Sequence, residues 1–584
     1  MNWGVDATRM YGRYWQTLRH LSPAQVAWRV RYAIERKTGL RRPCPMPTQP
    51  PRMNPLALER LRALVALRAQ SDKGHAAGLD ELRAGRFTFL NVACDAGPNP
   101  PWHDASRGRL WQYQLHSFGY ALQLAEAPNE GDGALLLGWM HDWIAANPVG
   151  TDVAWDAYCV SGRLVQWAMA DAVFGWRDEL MLRSYAQQVA WLLRHIEWDI
   201  RANHLLKNAC ALSVAGQLIG GDAAGVGRTL LEAQVGEQVL ADGGHYERAP
   251  MYHALAMEDL LAAYAAFTDK PVYLRDALQR MAAWAEATAH PDGDIPLFGD
   301  SVQGEALPAA ALVGLTRAAI EEDAPQALPA ISALTRSGFY SVRWGQSFFL
   351  MKACGPEPAF QPGHAHADPF TYELSIDGVR MVVDAGVHGY ADSPWRADAR
   401  SVRAHNCAVV DEREPMDAWG VFRVARRHKV EILSWTTDRH GGARFTGKHD
   451  GFAPHTTERE VRMDGTHGVW IRDNIEERGE ARLESLVHFA PGATVVQQAA
   501  LIRIEREGAL LWLVPGRDTA MRIEPPRAEP PEGWHFPRFG QGLAAPWVVL
   551  LPTNPGGQAL CYALVQAATA DEARACAWKL DHDD

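Results

Sequence analysis

The stretch GHAHADPFTYELSIDGVRMVVDAG, residues 363–386, sets His364 and His366 one residue apart and ends on Asp384-Ala385-Gly386. His405 stands nearby in RAHNCAVVD, at the mouth of another strand-like run. Residues i and i+2 of an extended segment point to one side, so the spacing predicts both imidazoles facing one cavity. Histidines with a carboxylate at Asp384 offer a two-histidine, one-carboxylate site for zinc or a similar divalent ion. A chain with 22 histidines also places some pairs two apart by chance.

Two further constellations lie upstream. RANHLLKNACAL opens an apolar helix with Asn203 and His204, and Asn208 follows one turn beyond His204 on the same face. Asn203 serves there either as a helix cap or as a functional amide. ADGGHYERAPMYHAL then crowds Glu247, Tyr252 and His253 onto a loop just before a helix, where polar and aromatic groups are more suggestive of function than within one.

The elements that must position these residues change type once along the chain. From Leu56 to about Ile320 apolar residues recur at helical spacing, as in GALLLGWMHDWIAANP, where Leu136, Trp139, Met140, Trp143 and Ile144 share a face. Successive helices of this kind predict helical hairpins in an arc or ring. After about Ser337 the period becomes two, and Asp377-Gly378 between apolar runs predicts a tight hairpin turn. The expected organisation is a helical arm and proline-rich linker over 1–50, a helical domain over 51–330 and an antiparallel β-sandwich over 331–584.

Composition narrows the function classes. Hydrophobic residues make up 47% and charged residues 22% of 584 positions, as in ordinary globular proteins. A net charge of −11 with no block of basic residues excludes a nucleic-acid footprint. A polyanionic substrate would need a locally basic cleft, for which Arg396, Arg400 and Arg403 are candidates. Eight scattered cysteines without a C-x-x-C pair predict reduced thiols. Arg9, Arg13 and Arg19 interrupt the first segment where a secretory leader would be apolar, and no window reaches the length of a membrane span. The cytoplasm is the expected compartment, with no membrane partner.

NHLLKN, DGGHYERAPMYH, the GHAHAD segment with its hairpin and D-x-G, and RAHNCAVVD together resemble the heparinase II/III-like polysaccharide lyases, which include glycosaminoglycan and alginate lyases. The resemblance runs from about Trp111 through the sandwich. It implies an incomplete α/α toroid followed by an antiparallel β-sandwich, and β-elimination on a uronate polysaccharide or oligosaccharide. By that resemblance Asn203 and His204 neutralise the uronate carboxylate, Tyr252 is the catalytic acid/base and His364 the second acid/base group. An ordinary phenol, with a pKa near ~10, would need strong positive potential to act as base. His366, Asp384 and His405 match positions that hold a metal ion, here expected to be structural and zinc before other divalent ions. Asn208, Glu247 and His253 are assigned to substrate binding or loop support, and Tyr113, Tyr158 and Arg163 to the cleft lining.

Two other readings remain at this level. A metal-dependent hydrolase would use His364, His366, Asp384 and His405 to activate water, but leaves Asn203 and Tyr252 without a task. A non-catalytic carbohydrate-binding protein would draw on the 22 tryptophans, which buried ring packing also explains.

Overall fold

The computed structural model describes residues 3–38, 44–71, 78–323, 327–476, 481–554 and 556–582. Its helical half is an incomplete α/α toroid. Gly119–Glu126, Ala157–Phe174, Ala202–Ile219, Pro250–Ala266 and Ala309–Ile320 form the inner layer, and each packs against Pro55–Ser71. Asp132–Ala146, Glu179–Leu192, Asp222–Gln238 and Val272–Thr288 return on the outside. The inner helices are apolar around most of their circumference because both sides are covered. In Ala202–Ile219 even Asn208 and Ser213 are buried.

Ring packing builds the toroid wall. Trp143 and Trp167 meet edge to face at 5.8 Å, Phe118 meets Trp167 at 5.5 Å, and Trp155 meets Trp191 at 5.5 Å. Truncating one such buried ring to alanine would cost ~3–5 kcal/mol. A short hairpin, Arg86–Phe89 with Val92–Asp95, interrupts the helical half. Periodicity missed it because each strand has only four residues.

The second half is antiparallel β throughout its main sheets. A five-stranded sheet (Ile331–Leu334, Phe339–Trp344, Ser347–Lys352, Tyr372–Ile376, Val379–Val382) and a four-stranded sheet centred on Leu483–His488 and Trp547–Pro552 share an apolar core with an eight-stranded sheet. The hairpin turn falls where the sequence puts it: Ile376 pairs with Val379 across Asp377 (φ 51°) and Gly378 (φ 83°). Tyr372–Ile376 is buried on both faces, because the other side of this sheet packs Phe348 and Leu350 against Trp284 of the toroid. The sheet is therefore the joint between the two halves. A terminal helix, Ala570–His582, covers Trp470 and Trp512 at the outer face.

The first fifty residues form two helices, Trp3–Leu18 and Pro23–Thr38, and an extended stretch; residues 39–43 of the proline-rich linker lie outside the described residues. The first helix is held by the sandwich, with Arg13 Nη2 on Asp417 Oδ1 at 2.7 Å. The second is held by the toroid, where Tyr32 donates to the Ile196 carbonyl at 2.6 Å. All eight cysteines are free thiols.

Candidate active site

Three inner helices present their first turns at the same rim of the toroid, and those turns carry Tyr158, Asn203 with His204, and Tyr252. Pro250 at the first position of its helix fixes the entry to Tyr252. Arg201 (φ 64°) and Ala202 (φ 54°) both take left-handed backbone immediately before Asn203, a strained entry of the kind that clusters at functional sites. The positive ends of the helix dipoles favour an anion at this rim.

The sandwich meets the rim through residues 363–366. These lie in an irregular loop, and not in the strand the sequence predicts, yet the two imidazoles converge as expected. Their meeting point is Asp300, absent from the sequence reading. His364 Nδ1 is 2.9 Å from Asp300 Oδ2 and His366 Nε2 is 2.8 Å from Asp300 Oδ1. Arg396 closes the cluster with both terminal nitrogens on the same carboxylate, at 2.9 Å for Nη2. Burial would raise the Asp300 pKa, but the Arg396 charge and the two histidine hydrogen bonds hold it well below the ordinary carboxylate range. Glycine is required at position 299: its φ is 60°, and a Cβ there would lie 2.8 Å from the His364 carbonyl.

Tyr252 stacks on His364 with ring centroids 3.8 Å apart, and its hydroxyl is 2.9 Å from that of Tyr390. Burial, then Tyr390 and Asp300, push the Tyr252 phenol well above its ordinary pKa. Asn203 Nδ2 lies 3.5 Å from His364 Nε2 and donates to Glu247 at 3.0 Å, while Glu247 also accepts the Asn203 backbone N–H at 3.1 Å. His204 Nδ1 is 2.8 Å from Glu197 Oε1, and its ring lies 4.6 Å from that of Tyr158. Burial would lower the His204 pKa, but the Glu197 charge and hydrogen bond, with Glu247, raise it above its ordinary value.

Asn203, Tyr252 and His364 are thus brought together across the joint. A cavity of about 410 Å³ opens on the Tyr252 side of this group, walled by Tyr113, Tyr158, Tyr252, Tyr390, Lys207 and Glu305 among others. Burial pushes the Glu305 carboxyl up to about 7. No tryptophan lies on that wall.

Other predicted residues sit elsewhere. Arg163 is fully buried in the toroid wall, bonded to Gln188 and the His116 carbonyl and stacked 3.8 Å from the Trp143 ring centre, so it does not line the cleft. Asn208 is enclosed, holding both the Glu197 backbone and its carboxylate, and so positions the partner of His204. His253 is buried against Trp284, with Nε2 on the Met281 carbonyl, and supports the Gly243–Glu247 loop through the His245 N–H. Glu247 stands behind Asn203. The basic cluster is also committed internally: Arg396 to Asp300, Arg403 to Glu484 and Glu532, and Arg400 to backbone carbonyls.

The expected metal ligands are adjacent but are not three free donors. His366 and His405 have ring centroids 5.3 Å apart, and His366 Nδ1 and His405 Nε2 are buried without a hydrogen-bond partner. Asp384 instead spends Oδ1 on His405 Nδ1 and the Ala385 N–H, and Oδ2 on Thr371. It stands behind His405, the place of a carboxylate that orients a ligating imidazole. Among the described residues no three metal-binding side chains converge. Arg459 fixes this region from below. It is paired with Asp473 at 2.7 Å and donates to the Phe370 and Asn406 carbonyls at 2.8 and 2.7 Å, tying both histidine-bearing loops to one strand.

Residues 94–313 match the family model described as heparinase II/III N-terminus, and residues 326–565 match heparinase II/III-like, C-terminal. The chain belongs to the heparinase II/III-like family. A heparin-sulfate lyase from Pedobacter heparinus, with which this family member shares 26% identity over 380 residues, is matched over 56% of each chain, so the protein spans about half the length of that curated relative. Among solved structures, a heparan sulfate lyase mutant from Pedobacter heparinus superposes with a TM-score of 0.59 at 21% identity, covering 87% of this chain and 89% of that one. A heparinase III structure gives 0.63 at 17% identity, covering 78% and 77%. At these identities the structural likeness establishes the fold, toroid followed by sandwich, for this heparinase II/III-like chain.

Proposed function

We propose that the protein is a lyase that cleaves uronic-acid polysaccharides by β-elimination, with heparan-sulfate-type glycosaminoglycans the first candidates and hyaluronan, chondroitin and alginate the alternatives. The observation that carries this reading is the stacking of Tyr252 on His364 beside Asn203, because it gives one sugar ring an acid, a base and an amide donor at once.

In the reaction the C5–H bond breaks and its electron pair forms the C4=C5 double bond, while the C4–O bond breaks and the leaving oxygen takes a proton. The carbon acid beside the uronate carboxylate is weak, so charge building on that carboxylate must be stabilised first. Asn203 Nδ2 and the His204 imidazole, whose pKa Glu197 raises, serve that purpose. One well-placed donor of this kind is worth ~2.7–4 kcal/mol in the transition state. Asp300 accepts the His364 Nδ1–H, which leaves the Nε2 lone pair as base on the side of Asn203. Tyr252, whose pKa is raised, stays protonated at neutral pH and supplies the proton to the leaving oxygen. Both groups belong to one stack, which suits a single ring held at the rim.

His366 Nδ1 and His405 Nε2 would hold a divalent ion, zinc by donor type, with Asp384 orienting His405. Such an ion would brace the loop that carries His364 and supply no proton transfer.

The test is incubation with heparan sulfate, heparin, hyaluronan, chondroitin and alginate while following ultraviolet absorbance of the conjugated double bond. A rise on at least one polymer supports the lyase. New reducing ends without absorbance would make the protein a hydrolase, and neither signal on any polymer would leave binding alone.

A further inference from the structure

The N-terminal helices are turned the wrong way round for a surface packed only by this chain. In Trp3–Leu18 the exposed side chains include Met10, Tyr11, Tyr14, Trp15 and Leu18, with Tyr11 71% and Trp15 69% exposed. Their spacing, i, i+4, i+8 beside i+1, i+5, makes one stripe. Pro23–Thr38 repeats the pattern with Val26, Val30 and Ile34, the last two 54% and 52% exposed. Inward-facing polar groups anchor both helices: Arg13 pairs with Asp417, Thr17 accepts from Trp419 Nε1 at 3.2 Å, and Gln25 is fully buried, with Trp28 stacked on Trp198 beside it. Exposed apolar side chains scattered singly need no explanation, but two such stripes within twenty-five residues do.

Charge selects the occupant. Apart from the inward-paired Arg13, residues 3–38 contain Arg9, Arg19, Arg29, Arg31, Arg36 and Lys37 against only Asp6 and Glu35, in a chain whose net charge is −11. A second copy laid on this face would set basic segment against basic segment. An anionic lipid surface meets both features, since interfacial helices bury an aromatic and aliphatic face at the headgroup boundary while basic residues engage acidic headgroups.

We propose that the two N-terminal helices dock the protein onto an anionic membrane surface, the stripe Met10–Leu18 and the stripe Val26–Ile34 lying in the headgroup boundary. No span is involved: among the described residues no helix is long and apolar enough to cross a membrane. Docking would bring the catalytic cluster to the membrane by a short route. Arg13 and Trp419 help wall a cavity of about 570 Å³ that also contains Arg396, the residue that holds Asp300 and hence His364.

The test is vesicle co-sedimentation of the full chain with phosphatidylcholine alone and with phosphatidylcholine mixed with phosphatidylglycerol. At least about tenfold more protein should sediment with the anionic vesicles, with the excess lost at high salt. The double variant Trp15→Ser/Ile34→Ser should lose about tenfold of that binding while its circular dichroism, thermal midpoint and activity on soluble polymer stay unchanged, which separates docking from the lyase reading. Equal binding of wild type and variant, no binding to anionic vesicles, or a wild-type dimer that the double variant dissolves would each overturn the proposal.

Discussion

The phenol ring of Tyr252, from the toroid, lies against the imidazole of His364, from the sandwich, with centroids 3.8 Å apart and planes 26° from parallel. On the proposed mechanism neither half of the chain holds a complete acid–base pair. The pair exists because the five-stranded sheet is clamped between the sandwich core and helix Val272–Thr288. Any change that loosens this joint should therefore reach catalysis before it reaches overall folding.

Tyr252→Phe removes one hydroxyl and the 2.9 Å contact to Tyr390. Elimination should fall by ~10²–10⁴-fold, the usual weight of a general acid. Stability should change by no more than about 1.5 kcal/mol, the worth of one hydrogen bond. Steady-state rates with a denaturant titration check both, and retention of more than a tenth of the activity would remove Tyr252 from the acid role.

Asp300→Asn leaves Arg396 buried without its counter-charge. Stability should fall by ~3–5 kcal/mol, as for other broken buried pairs. Because the amide no longer fixes the His364 tautomer, the rate should also fall beyond what unfolding explains, with kcat affected more than KM. Chemical denaturation followed by kinetics on the folded fraction separates the two effects.

The Glu197–His204 pair predicts a pH dependence. The folded pKa of His204 is raised above its ordinary value of 6.5. The stability contributed by the pair is therefore fully present below that ordinary value and is lost as pH rises through the raised one. Activity that needs the imidazolium should decline over the same window. In Glu197→Gln the opposing effect of burial prevails, so the declining limb of kcat/KM should move to lower pH. An unmoved limb would mean that His204 acts uncharged.

Metal analysis of protein purified without chelator should find about one divalent ion per chain, lost from His405→Ala. Removing that ion should lower the thermal midpoint, because two buried imidazole nitrogens lose their partner. A chain that takes up no zinc when titrated with it, followed by calorimetry, would contradict this assignment.

The helices and strands were legible because their periods differ, and the Asp377-Gly378 turn because its backbone demands those residue types. Asn203, Tyr252 and His364 were legible as chemistry through the motifs that carry them. Asp300 was not, since PLFGDS is irregular and nothing in its spacing ties it to histidines more than sixty residues away. Tyr390 was hidden likewise in a loop after Asp384-Ala385-Gly386. Arg163 was misplaced because helical periodicity identifies a buried face without saying whether it turns to the cleft or to the next helix. Asp384 shows the corresponding limit for metals: residue type announces a ligand, while the hydrogen bonds to His405, Ala385 and Thr371 that occupy its oxygens belong to the folded chain.

The central claim is that Tyr252 and His364 break a C4–O bond without water. Mass spectrometry of a defined uronate oligosaccharide after complete digestion tests it directly. The account predicts two fragments whose masses sum to that of the substrate, with the unsaturated uronate on one of them and cleavage by Tyr252→Phe slowed ~10²–10⁴-fold. Fragments whose summed mass exceeds the substrate by one water would contradict it.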